Sequence, residues 1–111
     1  FGESATMASE SAVLGTPAIY LDKVGRGYTD EEEEYGLVYN FKNDLESQAM
    51  AIDQGIKLLK DPLLKAKTQE KRKTFVNDKI DPTAFLVWFI ENYPQSAKIM
   101  KENPNYQYNF K

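Results

Sequence analysis

The N-terminal part of the chain switches twice between helical and extended patterns of hydrophobic positions. Residues 4–14 are good or neutral helix formers, with small alanine side chains at spacings of three and four, a stripe that lets a helix lie close to a sheet. Gly15 is placed to end this helix in the left-handed conformation, and Pro17 prevents its continuation. The apolar run Ala18–Leu21 is rich in strand formers and predicts a strand.

A second helix and a second strand follow a glycine-rich loop. Thr29 or Asp30 is expected to cap a short helix over residues 31–35, whose acidic side chains complement the helix dipole. Gly36 is expected to end that helix, and Leu37–Phe41 predicts the second strand. The alternation of helices and strands predicts an α/β fold with a small parallel sheet.

The chain beyond the second strand is predicted to be helical. Asn43 or Asp44 can cap a helix that ends at Asp61–Pro62. Its apolar positions recur at alternating spacings of four and three, which predicts one buried stripe: Leu45, Ala49, Ile52, Ile56 and Leu59. Residues 63–77 are rich in charged and amide side chains and predict a solvated helix.

The C-terminal segment begins with Asp81–Pro82, a helix cap followed by proline at the first helical position. Pro94 breaks that helix, a short helix over residues 95–102 follows, and the tail is expected to be extended. Four aromatic residues follow helical spacing, which is more typical of a core but also fits a face that docks on a partner: Phe85, Trp88, Phe89 and Tyr93.

Composition limits the chemistry that the chain can perform. With 111 residues, it is expected to form a single domain, residues 1–111. The net charge of −3 disfavours a nucleic-acid partner, and no membrane span is expected. The absence of cysteine and histidine excludes disulfides, thiolate zinc sites and a histidine base. We therefore assign no catalytic residue and no metal site, and expect a cytoplasmic protein.

The start of the first helix is the best candidate for ligand chemistry. Its free backbone N–H groups could bind a phosphate, with hydroxyl donors at Ser4 and Thr6. Ser4 could equally be only a helix cap, and spacing alone favours that interpretation. Glu10 lies one turn after Thr6 on the same side of the helix, where a carboxylate could bind a ribose diol, although most helical glutamates are simply exposed.

Two charged segments in the following loop and helix are also candidates. Arg26 stands between two glycines after a strand and could bind a diphosphate in a bidentate manner, or it could be an exposed loop arginine. The acidic run at residues 30–34 could suggest a divalent-ion site. Because consecutive helical residues point in different directions, we interpret the run as a solvated helix start.

Three stretches of the sequence resemble a known family: GESATMASESAVLGTPAIYLD, GRGYTDEEEEYGLVYNF and DKIDPTAFLVWFIENYPQSAKIMKENPNYQYNF. The family comprises prokaryotic glycosyltransferase-like proteins of unassigned function, often from surface-polysaccharide loci. It is related to UDP-N-acetylglucosamine 2-epimerases and GT-B glycosyltransferases. The resemblance is to the C-terminal half of that family and extends over essentially the whole chain, with TMASESAVLGTPAI as its most specific part.

The resemblance implies a Rossmann-like GT-B C-terminal domain that holds a nucleotide-sugar donor, a UDP-sugar first among the candidates. It places the ribose contact at Glu10 and the phosphate contacts at Ser4, Ala5 and Thr6. The chain departs from the epimerase pattern because Glu3-Ser4-Ala5 stands where a Ser-Gly-Gly run is typical, and an acidic Glu3 would disfavour phosphate unless it points away.

The resemblance also implies a partner for this chain. A preceding strand and an N-terminal Rossmann-like domain, which supplies acceptor and catalytic groups, would belong to the rest of the protein. The chain by itself would then be inactive and could associate with a second copy through exposed sheet edges. Two other functions stay open: a non-catalytic interaction module that docks through its aromatic helix, and a regulatory nucleotide-binding domain without sugar chemistry.

Overall fold

A computed structural model describes all residues, Phe1–Lys111, and the chain folds as two compact units, Phe1–Val76 and Asn77–Lys111. The mixed α/β class is confirmed. The elements follow in the order α1 (Ala5–Leu14), β1 (Ala18–Asp22), α2 (Gly27–Glu34), β2 (Val38–Lys42), α3 (Leu45–Lys60), α4 (Leu64–Asp78), α5 (Pro82–Glu91), α6 (Gln95–Glu102) and a 3₁₀ helix (Pro104–Asn109).

The sheet consists of two parallel strands, as the order of elements predicts. β1 and β2 pair from Ala18 opposite Val38 to Asp22 opposite Lys42. The backbone at Gly2 adds one further parallel bridge, opposite Tyr20. The backbone N–H of Ala18 points to the edge of β1 that faces β2. Backbone groups alternate along a strand, so the Ile19 carbonyl and the Leu21 N–H, which bond Gly2, point to the opposite edge. β1 is therefore bonded along both of its edges.

α1 begins and ends where local signals predict. The Ser4 hydroxyl accepts a hydrogen bond from the backbone N–H of Met7 at 3.4 Å, which makes Ser4 the N-cap. Gly15 takes a left-handed conformation with φ 73°, and its N–H donates to the Ala12 carbonyl at 3.0 Å. Glycine is suited to this position because a β-carbon is strained at positive φ.

The two faces of the sheet support separate hydrophobic clusters, because successive side chains of a strand point to opposite sides. The α1 face carries the larger cluster: Ala8, Ala12, Ala18, Tyr20, Leu37, Val38 and Phe75. The α3 face carries a smaller one: Ile19, Leu21 and Ala51, with Tyr39, Phe41 and Leu58 partly buried against it. The alanine stripe of α1 therefore packs on the sheet as predicted.

α2 starts earlier than predicted, and the expected cap at Thr29 or Asp30 is wrong. The N-cap is Arg26, whose carbonyl accepts bonds from Asp30 N–H at 3.0 Å and from the Thr29 hydroxyl at 2.9 Å. The acidic run is also not wholly solvated. Glu32 is 3% exposed, and its carboxylate accepts a hydrogen bond from the Ser9 hydroxyl of α1.

α3 has the predicted ends but not the predicted buried side. Asp44 caps it by accepting from Ser47 N–H at 2.8 Å. The predicted stripe is exposed, from 87% at Leu45 to 44% at Ile56, whereas Ala51 is fully buried. The prediction fails because Ala51 lies roughly a third of a turn from that stripe around the helix axis. The apolar stripe thus flanks the contact with the sheet instead of making it.

α4 places polar side chains against the ends of other helices. Gln69 donates to the carbonyl of Leu14 at 3.0 Å, and Arg72 donates to the carbonyl of Val13 at 2.8 Å. These carbonyls lie in the last turn of α1, where the helix itself offers no partner. The predicted solvated helix is therefore only partly correct, since Phe75 is also buried in the α1-face cluster.

The second unit is built around aromatic rings. Asp81 caps α5 as predicted, accepting from Thr83 N–H at 2.9 Å and Ala84 N–H at 3.0 Å. The tail is not extended as predicted but forms the 3₁₀ helix, because Tyr106 stacks on Trp88 with ring centres 4.9 Å apart. Phe85, Trp88 and Phe89 contact one another within α5, and Phe110 of the tail contacts Phe85 and Trp88.

Candidate functional site

The main cavity of the first unit lies where β1 ends. Its volume is about 520 Å³, and it is bordered by Ala5 and Thr6 at the start of α1, by Asp22 at the end of β1, and by Lys23 and Arg26 after it. Ligands of open α/β sheets bind outside the carboxyl ends of the strands, which is where this cavity lies. The structure therefore brings together three of the residues singled out from the sequence: Ala5, Thr6 and Arg26.

Glu10 borders a neighbouring depression instead of the main cavity. This depression has a volume of about 320 Å³ and is lined by Thr6, Ser9, Glu10 and Tyr28. The expectation that Thr6 and Glu10 project from the same side of α1 is confirmed. Thr6 and Tyr28 border both depressions, so the depression at Glu10 is next to the main cavity.

Ser4 lies at a different place from the other candidates. Its side chain caps α1, and it borders a third depression together with Met7, Ala8 and Ile19. The cap interpretation therefore describes what its hydroxyl does in the structure. Because the Ser4 oxygen accepts from Met7, its proton is still available to a ligand.

Tyr20, Asp22 and Arg26 form a connected group on the wall of the main cavity. The Tyr20 hydroxyl donates to Asp22 Oδ2 at 2.7 Å, and Arg26 Nε lies 3.5 Å from the same oxygen. Asp22 Oδ1 accepts from Lys23 N–H at 2.6 Å. Both oxygens of the Asp22 carboxylate are thus engaged by donors.

These contacts move the pKa values of the group in consistent directions. The Tyr20 hydrogen bond is the largest cause that lowers the pKa of Asp22 below its usual range. The same bond, together with burial, raises the pKa of Tyr20. The pKa of Arg26 is raised, chiefly by hydrogen bonding to Tyr20 and by the charges of Tyr20 and Asp22. At neutral pH the cavity wall therefore presents a carboxylate paired with a guanidinium.

Sequence reasoning missed Tyr20 and Asp22 as members of the site. The available signal was their separation by two positions on a strand, which places both side chains on one face. Arg26 then follows Asp22 by four residues. A buried tyrosine in an apolar run is usually a core residue, so its hydroxyl was not considered.

Glu3 borders the main cavity and does not point away from it. Asn43 holds it by donating from Nδ2 to Glu3 Oε1 at 2.9 Å, and Gln48 donates to Asn43 Oδ1 at 2.6 Å. Two carboxylates, Glu3 and Asp22, therefore face two cations, Lys23 and Arg26, in one cavity. Their formal charges cancel, so the cavity has no net charge from these four residues that would attract an anion.

Two acidic residues of α2, Glu32 and Glu33, make contacts within the fold. Glu33 accepts from the backbone N–H of Asn40 at 2.9 Å and from its side-chain amide at 3.1 Å. Glu32 contacts Ser9. No group of three or more acidic side chains converges in a way that could hold a metal ion.

Comparisons with protein-family models, with curated proteins and with solved structures found no match to this chain. None of its helices combines the length and the hydropathy that crossing a bilayer requires. The interpretation of the site therefore depends on the cavity and the side chains around it.

Proposed function

We propose that the chain is the donor-side, C-terminal domain of a GT-B-like protein and binds a nucleoside-diphosphate sugar, a UDP-sugar first among the candidates. The observation that carries this proposal is that Thr6 and Arg26 border a single cavity of about 520 Å³. A helix start and an arginine are suitable groups for a diphosphate, and the volume is in the range of small-ligand sites.

Each candidate residue has a distinct role in this proposal. The backbone N–H groups at Ala5 and Thr6 and the Thr6 hydroxyl bind the diphosphate, while Ser4 caps the helix that presents them. Arg26 binds the same group through its guanidinium. Glu10 accepts hydrogen bonds from the ribose, and the position of Thr6 on both depressions supports a continuous path to it.

The wider proposal concerns the protein to which this domain belongs. It uses the nucleotide-sugar in transferase or epimerase chemistry for surface polysaccharide in the cytoplasm. An N-terminal Rossmann-like domain completes the cleft and supplies the acceptor and catalytic groups. The domain alone then binds the donor without turning it over, and no residue of this chain is assigned as a catalytic base.

A UDP titration followed by NMR tests the donor site. We expect chemical-shift changes that cluster at residues 4–10 and at Arg26. Glu10→Ala should weaken binding by about tenfold, because a hydrogen bond to a charged group is lost. Glu70→Ala is the matched control, because it makes the same change away from the proposed site. Its neighbour Gln69 contacts the C-terminal end of α1, opposite to the end that borders the cavity.

A substitution at Glu3, an acidic residue of the cavity, should strengthen UDP binding instead of weakening it. Glu3→Gln removes one negative charge from the cavity while retaining an acceptor for Asn43. We expect it to strengthen UDP binding by about three- to fivefold, because it removes the repulsion that a like charge a few ångströms away exerts in water. The gain should shrink as salt is added. A weaker complex with Glu3→Gln would contradict the placement of the diphosphate in this cavity.

The two other function classes predict different results. A regulatory nucleotide-binding domain would bind UDP and a UDP-sugar equally and would not require Glu10. An interaction module would show no shifts with UDP or any other nucleotide. Three of the four rings that suggested docking, Phe85, Trp88 and Phe89, pack within their own unit, whereas Tyr93 is exposed. Such a module would use Tyr93 and the exposed apolar residues of α5, which are Leu86, Val87 and Ile90.

A further inference from the structure

We propose that Tyr20 and Asp22 are positioning residues that hold the Arg26 guanidinium ready for a diphosphate, an inference that rests on the proposed function. Arginine has five N–H donors in a planar fork, and one of them belongs to Nε. The ion pair with Asp22 is made through Nε, with 3.5 Å between Arg26 Nε and Asp22 Oδ2. The two terminal nitrogens are the ones that match the oxygens of a phosphate in a bidentate manner.

Arg26 needs such a restraint because its side chain is 58% exposed. A long exposed side chain samples many rotamers and loses that freedom when it binds. Its backbone is already fixed, since the Arg26 carbonyl accepts from Asp30 N–H and from the Thr29 hydroxyl at the start of α2. Holding Nε as well limits the volume that the guanidinium explores, and so lowers the entropic cost of binding.

The restraint is anchored in the hydrophobic core. Tyr20 is 2% exposed and belongs to the α1-face cluster, so its ring has little freedom. Its hydroxyl donates at 2.7 Å to the same Asp22 oxygen that faces Arg26. Lys23 N–H holds the other oxygen at 2.6 Å. A chain of contacts therefore runs from the core, through a fixed carboxylate, to a cation on the cavity wall.

Tyr20→Phe is the decisive variant because it removes one hydroxyl without changing the charge of the cavity. Asp22 variants are less informative, since the loss of a carboxylate also reduces repulsion of an anion. Tyr39→Phe is the matched control. Tyr39 is half-buried against the α3-face cluster, and it does not border the main cavity.

The experiment measures the affinity of the full chain for UDP and for inorganic pyrophosphate, together with ¹⁵N relaxation of the Arg26 Nε–H group. We expect Tyr20→Phe to weaken both ligands by about three- to tenfold, which is less than the loss of a direct hydrogen bond to a charged group, because Tyr20 acts on the ligand only through Arg26. The Arg26 Nε–H group should become more mobile before any ligand is added. Tyr39→Phe should change neither quantity, and amide spectra report whether each variant is folded.

A double-mutant cycle separates positioning from a general structural effect. In an Arg26→Ala background, Tyr20→Phe should have no further effect on affinity, because the group that it positions is gone. An equal loss in that background would overturn the inference. Unchanged Nε–H mobility and unchanged affinity in Tyr20→Phe would also overturn it, while the proposed function would stand on UDP binding.

The remaining outcomes distinguish the inference from the proposed function. Pyrophosphate binding that depends on Tyr20, without UDP binding, would reject the nucleotide-sugar assignment and support the positioning of Arg26 for a diphosphate. Failure of the wild-type chain to bind either probe would overturn both.

Discussion

The two faces of the parallel sheet are covered by helices of different character. On the α1 face, Ala8 and Ala12 are buried, and Val38 below them is fully buried. On the α3 face, Ala51 is the only fully buried residue of a longer helix. Both helices have regular patterns of apolar residues, yet only the pattern of α1 coincides with its contact surface.

The size of the side chains explains this difference. The alanines of α1 let its backbone approach the sheet, and Phe75 of α4 with Tyr35 after α2 fills the space beside it. α3 also approaches through small residues, at Ala51 and Gly55, where an added β-carbon would meet Ile19 Cδ1 at 3.3 Å. Its large residues therefore lie to the side. Close packing in this unit depends on small side chains, and a regular stripe of large ones does not identify the contact.

Among substitutions that keep an apolar side chain, truncation of a core residue on the α1 face should have the largest effect on stability. Leu37 is fully buried in that cluster, so Leu37→Ala should lower the free energy of unfolding by about 2–5 kcal/mol. Leu59, which is 86% exposed on α3, provides the control, and Leu59→Ala should stay within about 0.5 kcal/mol of wild type. Urea unfolding measures both. Similar losses at the two positions would show that the faces are equally well packed.

Enlargement of the contact residue of α3 should have the next largest effect. Ala51→Leu inserts three further carbon atoms against Ile19 and Leu21 and should cost about 1–3 kcal/mol of unfolding free energy. Ala49→Leu makes the same change at an exposed position of the same helix and should cost almost nothing. Thermal unfolding of the pair tests whether α3 touches the sheet through Ala51. Loss of stability only in Ala49→Leu would place the predicted stripe on the sheet after all.

The same distinction explains what could be predicted from the sequence. Both ends of α1 and the starts of α3 and α5 were predicted correctly because the signals are local: Ser4 and Gly15, Asp44, and Asp81. The buried side of α3 depends on which element of the fold packs against the helix, and the periodicity of its apolar residues does not contain that information. The 3₁₀ conformation of the tail likewise depends on ring contacts with Trp88.

The residues of the candidate site also fall into two groups, those that a local pattern predicts and those whose role depends on contacts with other elements. Thr6 and Glu10 lie together because they are one turn apart on a helix, and Arg26 joins Thr6 because parallel strands end at one edge. Tyr20 was missed because a buried tyrosine normally contributes area and not a hydroxyl. Glu32 was misjudged because its burial depends on Ser9 of another helix.

Acid should weaken the cap of α3 in a predictable direction, with a smaller effect than either core substitution. Hydrogen bonds from the Ser47 backbone and side chain lower the pKa of Asp44 in the folded state. A lowered folded pKa means that the stabilisation is present above the unfolded value of about 3.9 and is lost as the pH falls through the folded pKa. Asp44→Asn keeps a capping acceptor but removes this titration. The free energy of unfolding, measured from neutral to acidic pH, should therefore fall less steeply for Asp44→Asn than for wild type. Identical slopes would contradict the role of the Asp44 charge.

A polar substitution in the exposed stripe should have the smallest effect and is the sharpest test of the α3 face. Leu45 is 87% exposed, so Leu45→Lys should change the free energy of unfolding by no more than about 0.5 kcal/mol. The same substitution at fully buried Val38 should prevent folding, because it would leave an unpaired charge in the core. A larger loss for Leu45→Lys that grows with protein concentration would show that a second copy covers the stripe, because association stabilises a folded chain by mass action. A melting temperature independent of concentration, with Leu45→Lys as stable as wild type, would instead mean that α3 contributes its small residues to the fold and leaves its large ones in solvent.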